Sequence, residues 1–498
     1  MAECNIPKVL KVGVSKVDIT PWADVQVSGS VGVRRKAQAV LDPLFARAIV
    51  FDNGKKKMCL IAADLTLISR QAGDYIRNTA ANRFGFDREA VIIHLTQTHT
   101  SPSLGHCMFD PDFKLIPDEY DWIRGGDRKY TEFAQDKILD AIDSALKKLQ
   151  QVEIGVQDAS EGRLTFNRRG IRCDRVRSVD DPTREGILNK LVGIGMPGRR
   201  WSKNVGQTWI RYLEGPIDPQ VLMMCFRTEN LKIVSALLNY ASHPVHVFDK
   251  QLISADWPGA WCEGVGQLMG RECIPLTLNG CCGNLNPWDP WDPNYPNDHI
   301  RMGKMLTKHS ENMLGGMDFF SDTVLDYESI HLKIPYRKVP NDVLAEAKTY
   351  LGLHPEIIWT DETRRQVNAE WYRHAMILSI DREQKREGGM MDYEIQVFRI
   401  GPVALVSLPG EPFVEGQLQI KIQSPVYFTF VMHMTNQYVG YVPTRNAFAL
   451  SGGHETDLST WSKLAPEALD MIVDEATKVL HRMFSDLNPA EDQENSKG

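Results

Sequence analysis

Apolar and polar residues follow two different periods along the chain, and the two periods alternate. Short apolar runs that end in polar residues predict buried strands. Spacing of three and four residues predicts amphipathic helices, as in the stripe formed by Phe133, Ile138, Ile142 and Leu146. The predicted strands are 56–68, 91–95, 220–227, 233–240, 274–279, 402–408 and 426–434. The predicted helices are 73–85, 130–150, 258–270, 342–352, 361–386 and 465–485, the last with Pro466 in its first turn. This alternation predicts an α/β fold, with mixed β-sheets and flanking helices.

Two stretches interrupt the pattern and are predicted to be long loops or insertions. Residues 170–216 are rich in Arg and Gly, and residues 280–299 place Pro and Gly turn signals around Trp288, Trp291 and Tyr295. Without an internal repeat, the chain is predicted to form a single large domain over residues 1–486. Residues 487–498 are predicted to be a disordered tail.

The composition of the chain excludes several classes of function. A net charge of −7 on 498 residues supplies no basic excess to replace phosphate counterions, which argues against nucleic acid as a partner. The nine Cys form no CxxC pair, so buried, reduced thiols are expected instead of a zinc knuckle or a redox motif. The absence of a secretory signal pattern and of a long apolar run leads us to expect a cytoplasmic enzyme with no transmembrane segment. The oligomeric state is left open.

Four polar clusters follow predicted strands, where active-site residues are often found. The clusters lie at residues 96–102, 240–259, 408–411 and 436–444, and His94 and His106 flank the first of them. Each cluster alone also has a structural explanation: His243 could cap a turn, Glu411 could cap a helix, and Tyr441 could be a packed aromatic. With no HExxH or similar local signature, spacing alone predicts only several polar loops that converge.

In their order along the chain, these segments resemble the motifs of the neutral/alkaline ceramidase family over its catalytic domain. The series begins with Asp18-Ile19-Thr20-Pro21, continues through the run ending in His99-Thr100-Ser101-Pro102, and includes the Asn167-Arg168-Arg169 segment. His243-Pro244, Ser254-Ala255-Asp256, the Asn279-Gly280 turn, Pro409-Gly410-Glu411 and the run from Tyr438 to Thr444 follow. The resemblance implies the sandwich fold of that catalytic domain and a zinc-dependent amidase.

The same resemblance implies roles for individual residues. His243, Glu411 and Tyr441 match three zinc ligands of the family. His99, Arg168 and Tyr441 match residues that serve the reacting centre. Gln97, His246, His454 and Trp288 are the further candidates for substrate binding.

Three positions depart from the family pattern. Gln97 stands where the family has its first His ligand, and a neutral amide is a weaker zinc ligand than imidazole. Gln97 could bind zinc through its oxygen, His99 or His246 could replace it, or zinc could be lost. Asn284 stands where the family has Asp, and His454, in the segment Gly452-Gly453-His454-Glu455, stands where the family has an aromatic residue.

Three functions remain open at this stage. The first is a hydrolase in which a metal activates water against an amide or ester of a small or sugar-containing substrate. The second is a metal-independent carbohydrate-active lyase or glycoside-cleaving enzyme, with His99 and Tyr441 as base and acid and Arg168 pairing a carboxylate. The aromatic loop around Trp288 favours a sugar. The third is a binding protein that kept the fold without the activity.

Overall fold

Three β-sheets form the centre of the computed structural model, which describes residues 9–172, 191–193, 210–248, 250–292, 294–322, 324–450 and 453–487. In spatial order, the first sheet contains Val91–Leu95, Lys57–Ala63, Phe45–Asp52, Lys11–Asp18 and Gln150–Gln151. The second contains Ile274–Asn279, Ile233–Tyr240, Gln220–Arg227, Glu153–Ser160 and Phe319–Phe320. The third contains Leu325–Pro335, Met390–Ile400, Val403–Ser407 and Thr429–Met432.

Helices cover the outer faces of these sheets. They are α1 (Arg70–Phe84), α2 (Arg128–Leu146), α3 (Asp256–Met269), α4 (His299–Gly315), α5 (Asn341–Leu353), α6 (Ala369–Arg386), α7 (Val414–Gln423), α8 (Arg445–Leu450) and α9 (Ala468–Met483). Short 3-10 turns occur at Arg88–Ala90, Asp118–Arg124 and Ser485–Leu487. No described helix has the length and apolarity needed to cross a lipid bilayer.

The three sheets bury one shared apolar core. It contains Val12 and Leu60 from the first sheet, Leu276 from the second, and Phe398 and Phe430 from the third, all fully buried. The opposite faces pack on α2, on α3 with α4, and on α7 with α9, in separate clusters. The fold is therefore an α/β sandwich of mixed sheets with flanking helices, and the predicted fold class is confirmed.

Each large sheet contains one parallel pair of strands, and this explains why the polar loops meet. The pairs are 57–63 with 91–95, 233–240 with 274–279, and 403–407 with 429–432. Parallel strands end at the same edge of a sheet, so the loops that follow them are brought together.

Buried hydrogen bonds join the three edges. His94 Nδ1 donates to the carbonyl of His433 at 2.7 Å, and His94 Nε2 accepts from the Asn279 N–H at 3.0 Å. Asn239 Nδ2 donates to the carbonyl of Val431 at 2.9 Å. Burial lowers the pKa of His94 to about 4, so the ring stays neutral and can both donate and accept. His94 is thus a structural cross-link between loops.

The predicted elements are confirmed, with shifts at their ends. The helix predicted from residue 361 begins at Ala369, because the side chain of Asn368 caps it by accepting from the Glu370 and Trp371 N–H groups. The last helix begins at Ala468, so Pro466 precedes it and does not lie in its first turn. Strands 11–18, 45–52, 153–160, 325–335 and 390–400 and helices α4 and α7 were not predicted.

The two predicted long loops differ in content. Residues 170–172, 191–193 and 210–213 belong to a small antiparallel sheet of Arg169–Arg172, Leu191–Gly193 and Ile210–Leu213. Residues 173–190 and 194–209, and residues 488–498 of the predicted tail, lie outside the described residues. Residues 280–299 form a loop with one two-residue strand, Leu285–Asn286, before α4 begins.

Candidate active site

A cavity of about 290 Å³ lies where the polar loops converge. Seven of the predicted site residues line it together: Gln97, His99, Arg168, His243, Glu411, Tyr441 and His454. They come from loops that follow strands of all three large sheets, and from the Asn167-Arg168-Arg169 segment. The convergence that the sequence predicted is therefore present in the fold.

His243 and Glu411 face each other inside the cavity. His243 Nδ1 bonds to the carbonyl of Cys282 at 2.8 Å, which places the proton on Nδ1 and the lone pair on Nε2. His243 Nε2 lies 3.5 Å from Glu411 Oε2. Within the described residues, neither atom has a hydrogen-bond partner, although both side chains are buried. Burial holds the pKa of His243 well below its usual range and raises the pKa of Glu411.

Tyr441 lies beside Glu411 because the backbone pairs them. Glu411–Pro412 and Tyr441–Val442 form a short parallel ladder in which Glu411 is the register partner of Tyr441. Tyr438, from the same loop, donates its hydroxyl to Glu411 Oε1 at 3.0 Å. Burial, reinforced by Glu411, raises the pKa of Tyr441 well above its usual range, so the phenol keeps its proton at neutral pH.

Arg168 is fixed by a buried ion-pair network. Its Nε bonds to Glu455 Oε1 at 2.8 Å, while Arg169 Nη1 bonds to Glu455 Oε2 at 2.9 Å. Arg168 Nη2 donates to the Tyr441 hydroxyl at 3.1 Å and lies 3.3 Å from His454 Nε2. The carboxylate of Glu455 thus determines which way the guanidinium of Arg168 faces. Glu455 has no predicted role, although its segment was recognised in the sequence.

His99 packs against a glycine of a second loop. Its ring centroid lies 5.1 Å from that of His243. A Cβ added to Gly29, which has φ +95°, would come within 2.6 Å of His99 Nδ1, so only glycine allows this approach. Burial, with Arg35 and Arg168 nearby, lowers the pKa of His99 to about 3. His99 is therefore neutral at physiological pH.

Gln97 is buried in the same wall and has an unusual backbone. Its φ is +65°, a left-handed conformation that costs on the order of 1–3 kcal/mol for a residue with a Cβ. Such strain at a cavity wall is typical of functional sites.

Two predicted substrate-binding residues lie outside the cavity wall. His246 is buried, and its Nδ1 bonds to Asp256 Oδ1 at 2.7 Å. Trp288 is buried in an apolar cluster with Val245 and Phe248. Neither side chain is among the lining residues, because a hydrogen bond holds His246 and apolar packing holds Trp288 behind the loops.

The remaining wall is mainly apolar and was not predicted. Its apolar residues are Val31, Leu67, Met108, Val245, Phe248 and Trp461, and residues 28–31 form a Gly/Ser-rich edge. The repeated small residues in that edge were the available sequence signal.

His243 and Glu411 have the spacing of two zinc ligands. Two zinc ligands at 2.0–2.1 Å and a tetrahedral angle lie about 3.3 Å apart, close to the 3.5 Å between His243 Nε2 and Glu411 Oε2. With the hydroxyl of Tyr441 they provide three protein ligands, the number usual in catalytic zinc sites. Within the described residues, no group of three His, Cys, Asp or Glu side chains converges, so the third ligand would have to be of another residue type, for which Tyr441, the register partner of Glu411, is the candidate. With Tyr441 as the third ligand, the donor set fits a metal.

Comparison with solved structures identifies the fold class as that of the ceramidases. Neutral ceramidase from Pseudomonas aeruginosa matches with a TM-score of 0.66 at 17% identity, over 95% of this chain and 75% of that chain. A ceramidase complexed with C2 matches with a TM-score of 0.65 at 16% identity, over 95% and 76%. No protein-family model and no curated protein matches the chain. At these identities, the likeness establishes a shared fold.

Proposed function

We propose that this cavity is the active site of a hydrolase that cleaves an amide or ester of a small substrate. His243, Glu411 and Tyr441 would hold a divalent metal, with zinc the first candidate. The observation that supports this most strongly is the pair of buried acceptors, His243 Nε2 and Glu411 Oε2, which face each other at 3.5 Å. Two lone pairs at that distance repel unless a cation or a proton lies between them.

Zinc, when bound, lowers the pKa of a water toward about 7 and polarises a carbonyl. The residues of the chain supply the remaining functions. The Cys282 carbonyl keeps the lone pair of His243 directed into the cavity. His99 is neutral and buried, and its Nε2, which has no hydrogen-bond partner within the described residues, can accept a hydrogen bond from the attacking water and orient it.

Tyr441 and Arg168 are suited to stabilise negative charge. Tyr441 can bind the metal through a lone pair of its hydroxyl oxygen and donate its O–H to an oxyanion or a leaving group, since burial keeps the phenol protonated in the metal-free site. Arg168 carries a permanent charge within 3.1 Å of that phenol, and Glu455 prevents it from turning away. The apolar wall would accommodate the part of the substrate that does not react.

A second candidate is the metal-independent lyase, in which His99 and Tyr441 act as base and acid. It is favoured by Gln97 standing in place of a stronger ligand, with no third His, Cys, Asp or Glu converging among the described residues. Two findings weigh against it. Arg168 is already paired with Glu455, and Trp288 lies outside the cavity wall.

The test is a panel of short N-acyl amides, esters and uronic acid glycosides, assayed with metal-depleted and zinc-loaded protein. We expect free acid to be released from an amide or ester, with zinc required. His243→Ala should abolish that release, while His331→Ala, at an exposed position of the strand Leu325–Pro335, is the matched control. Formation of an unsaturated uronide that does not depend on zinc would contradict the proposal and favour the lyase.

A further inference from the structure

Cys282 contacts two residues of the candidate site without lining the cavity. It is fully buried, and its backbone carbonyl accepts the His243 Nδ1 proton at 2.8 Å. Its thiol lies 3.6 Å from Gln97 Oε1, in the geometry of a donated S–H bond. One residue therefore acts on His243 through its main chain and on Gln97 through its side chain.

The surroundings of the sulfur determine the direction of that thiol. Asn279 Nδ2 approaches the sulfur at 3.7 Å as a donor, and the same group donates to the Thr96 carbonyl at 3.1 Å. His433 Nε2 lies 3.6 Å from the sulfur. A thiol has one proton to give, and the amide oxygen of Gln97 is the oxygen acceptor within reach of it.

The orientation of the Gln97 amide follows from this contact. With Oε1 facing the thiol, the NH₂ group faces the other way, and within the described residues it completes no hydrogen bond. Glu411 lines the same cavity as Gln97. A carboxylate accepts from an amide N–H and is repelled by an amide oxygen, so Glu411 favours the same orientation as Cys282.

We propose that Cys282 is a positioning residue that fixes the amide of Gln97 with its oxygen on the thiol and its NH₂ group turned away from it, and that holds His243 with Nε2 directed into the cavity. With its oxygen held by the thiol, Gln97 is a partner of the ligands and is not a ligand itself. Partners of this kind affect metal affinity or activity by about 10- to 100-fold. The proposal rests on the proposed function for its consequence in catalysis, but the hydrogen bond itself can be tested without substrate or metal.

The direct test is infrared spectroscopy of the S–H stretch in the metal-depleted protein. The difference between the wild type and Cys282→Ser identifies the Cys282 band, and Cys281→Ser, an adjacent buried cysteine, is the matched control. We expect the Cys282 band to lie at the lower frequency of a bonded thiol and to rise in Gln97→Met, while the Cys281 band stays unchanged. Gln97→Asn, which withdraws the acceptor by one methylene, should produce the same rise if Gln97→Met does not fold.

An unchanged Cys282 band in both Gln97 variants would overturn the proposal, since the thiol would then donate elsewhere, with His433 the nearest alternative. Activity gives the second readout. Cys282→Ala should lower kcat/KM by about tenfold or more, and Cys282→Ser, which keeps a donor, should restore most of it. If the infrared shift is found but no substrate is hydrolysed, the positioning stands and the proposed function fails.

Discussion

Removal of the Glu455 charge tests whether the Arg168 network holds the site in place. Glu455 is fully buried and bonds to two arginines. Arg168 is 4% exposed and Arg169 is 0% exposed. Glu455→Gln preserves the shape and removes the charge. The two guanidinium groups then lose their shared carboxylate in a region from which water is largely excluded. Breaking a buried pair in this way costs about 3–5 kcal/mol.

The pKa of Glu455 leads to a similar magnitude. Burial alone raises this pKa, but His454, Arg168 and Arg169 lower it from 4.5 to about 2. At about 1.4 kcal/mol per pKa unit, this corresponds to roughly 3 kcal/mol of stability. Unfolding 498 residues at about 2.1 cal/mol/K each has an entropy of about 1 kcal/mol/K. We therefore expect Glu455→Gln to lower Tm by about 3–5 °C.

Differential scanning calorimetry measures this change, with Glu475→Gln as the control. Glu475 pairs with Lys478 on the exposed face of α9, where loss of one ion pair should cost less than about 1 kcal/mol. Because the folded-state pKa of Glu455 is depressed, its contribution is present above about pH 4.5 and is lost as the pH falls toward 2. The gap in Tm between the wild type and Glu455→Gln should narrow over that range. Equal Tm values at neutral pH, or a gap that does not depend on pH, would refute the reasoning.

Three further predictions concern the cavity itself. Arg168→Lys keeps the charge, but a lysine cannot bond to Glu455 and Tyr441 at the same time, so kcat/KM should fall about 100-fold in steady-state assays. Full activity would contradict the role of the guanidinium. Gly29→Ala should displace His99 and destabilise the fold by about 1–3 kcal/mol, as measured by thermal unfolding. An unshifted Tm with full activity would show that the loop moves aside without loss of stability. Trp288→Phe should leave KM unchanged, because Trp288 does not line the cavity; a large rise in KM would place the substrate beyond the wall described above.

Much of the sandwich was predictable because its buried strands are uninterrupted apolar runs. Strands that contain charged residues were not predicted, because only the fold shows how those charges are paired. Arg47 lies inside the strand Phe45–Asp52 because Asp64, distant in sequence, pairs with it at 2.7 Å. Leu325–Pro335 was missed because partly exposed residues along it break the apolar run.

The convergence of the candidate site residues was predicted better from the order of the motifs than from any local pattern. His243, Glu411 and Tyr441 converge because parallel strand pairs end at a common edge, which spacing alone does not reveal. Glu455 and Cys282 were not assigned roles, because their contacts join loops that are far apart in the chain. Glu455 lies 287 residues from its partner Arg168, and Cys282 lies 185 residues from its partner Gln97.

Zinc titration of the metal-depleted protein by isothermal calorimetry, with elemental analysis of the product, tests the central claim most directly. The account predicts one zinc per chain, binding lost in His243→Ala and in Glu411→Ala, and binding retained in Trp288→Phe. Zinc that fails to bind, or that binds equally well to the His243 and Glu411 variants, would contradict the assignment of this cavity as a metal-assisted active site.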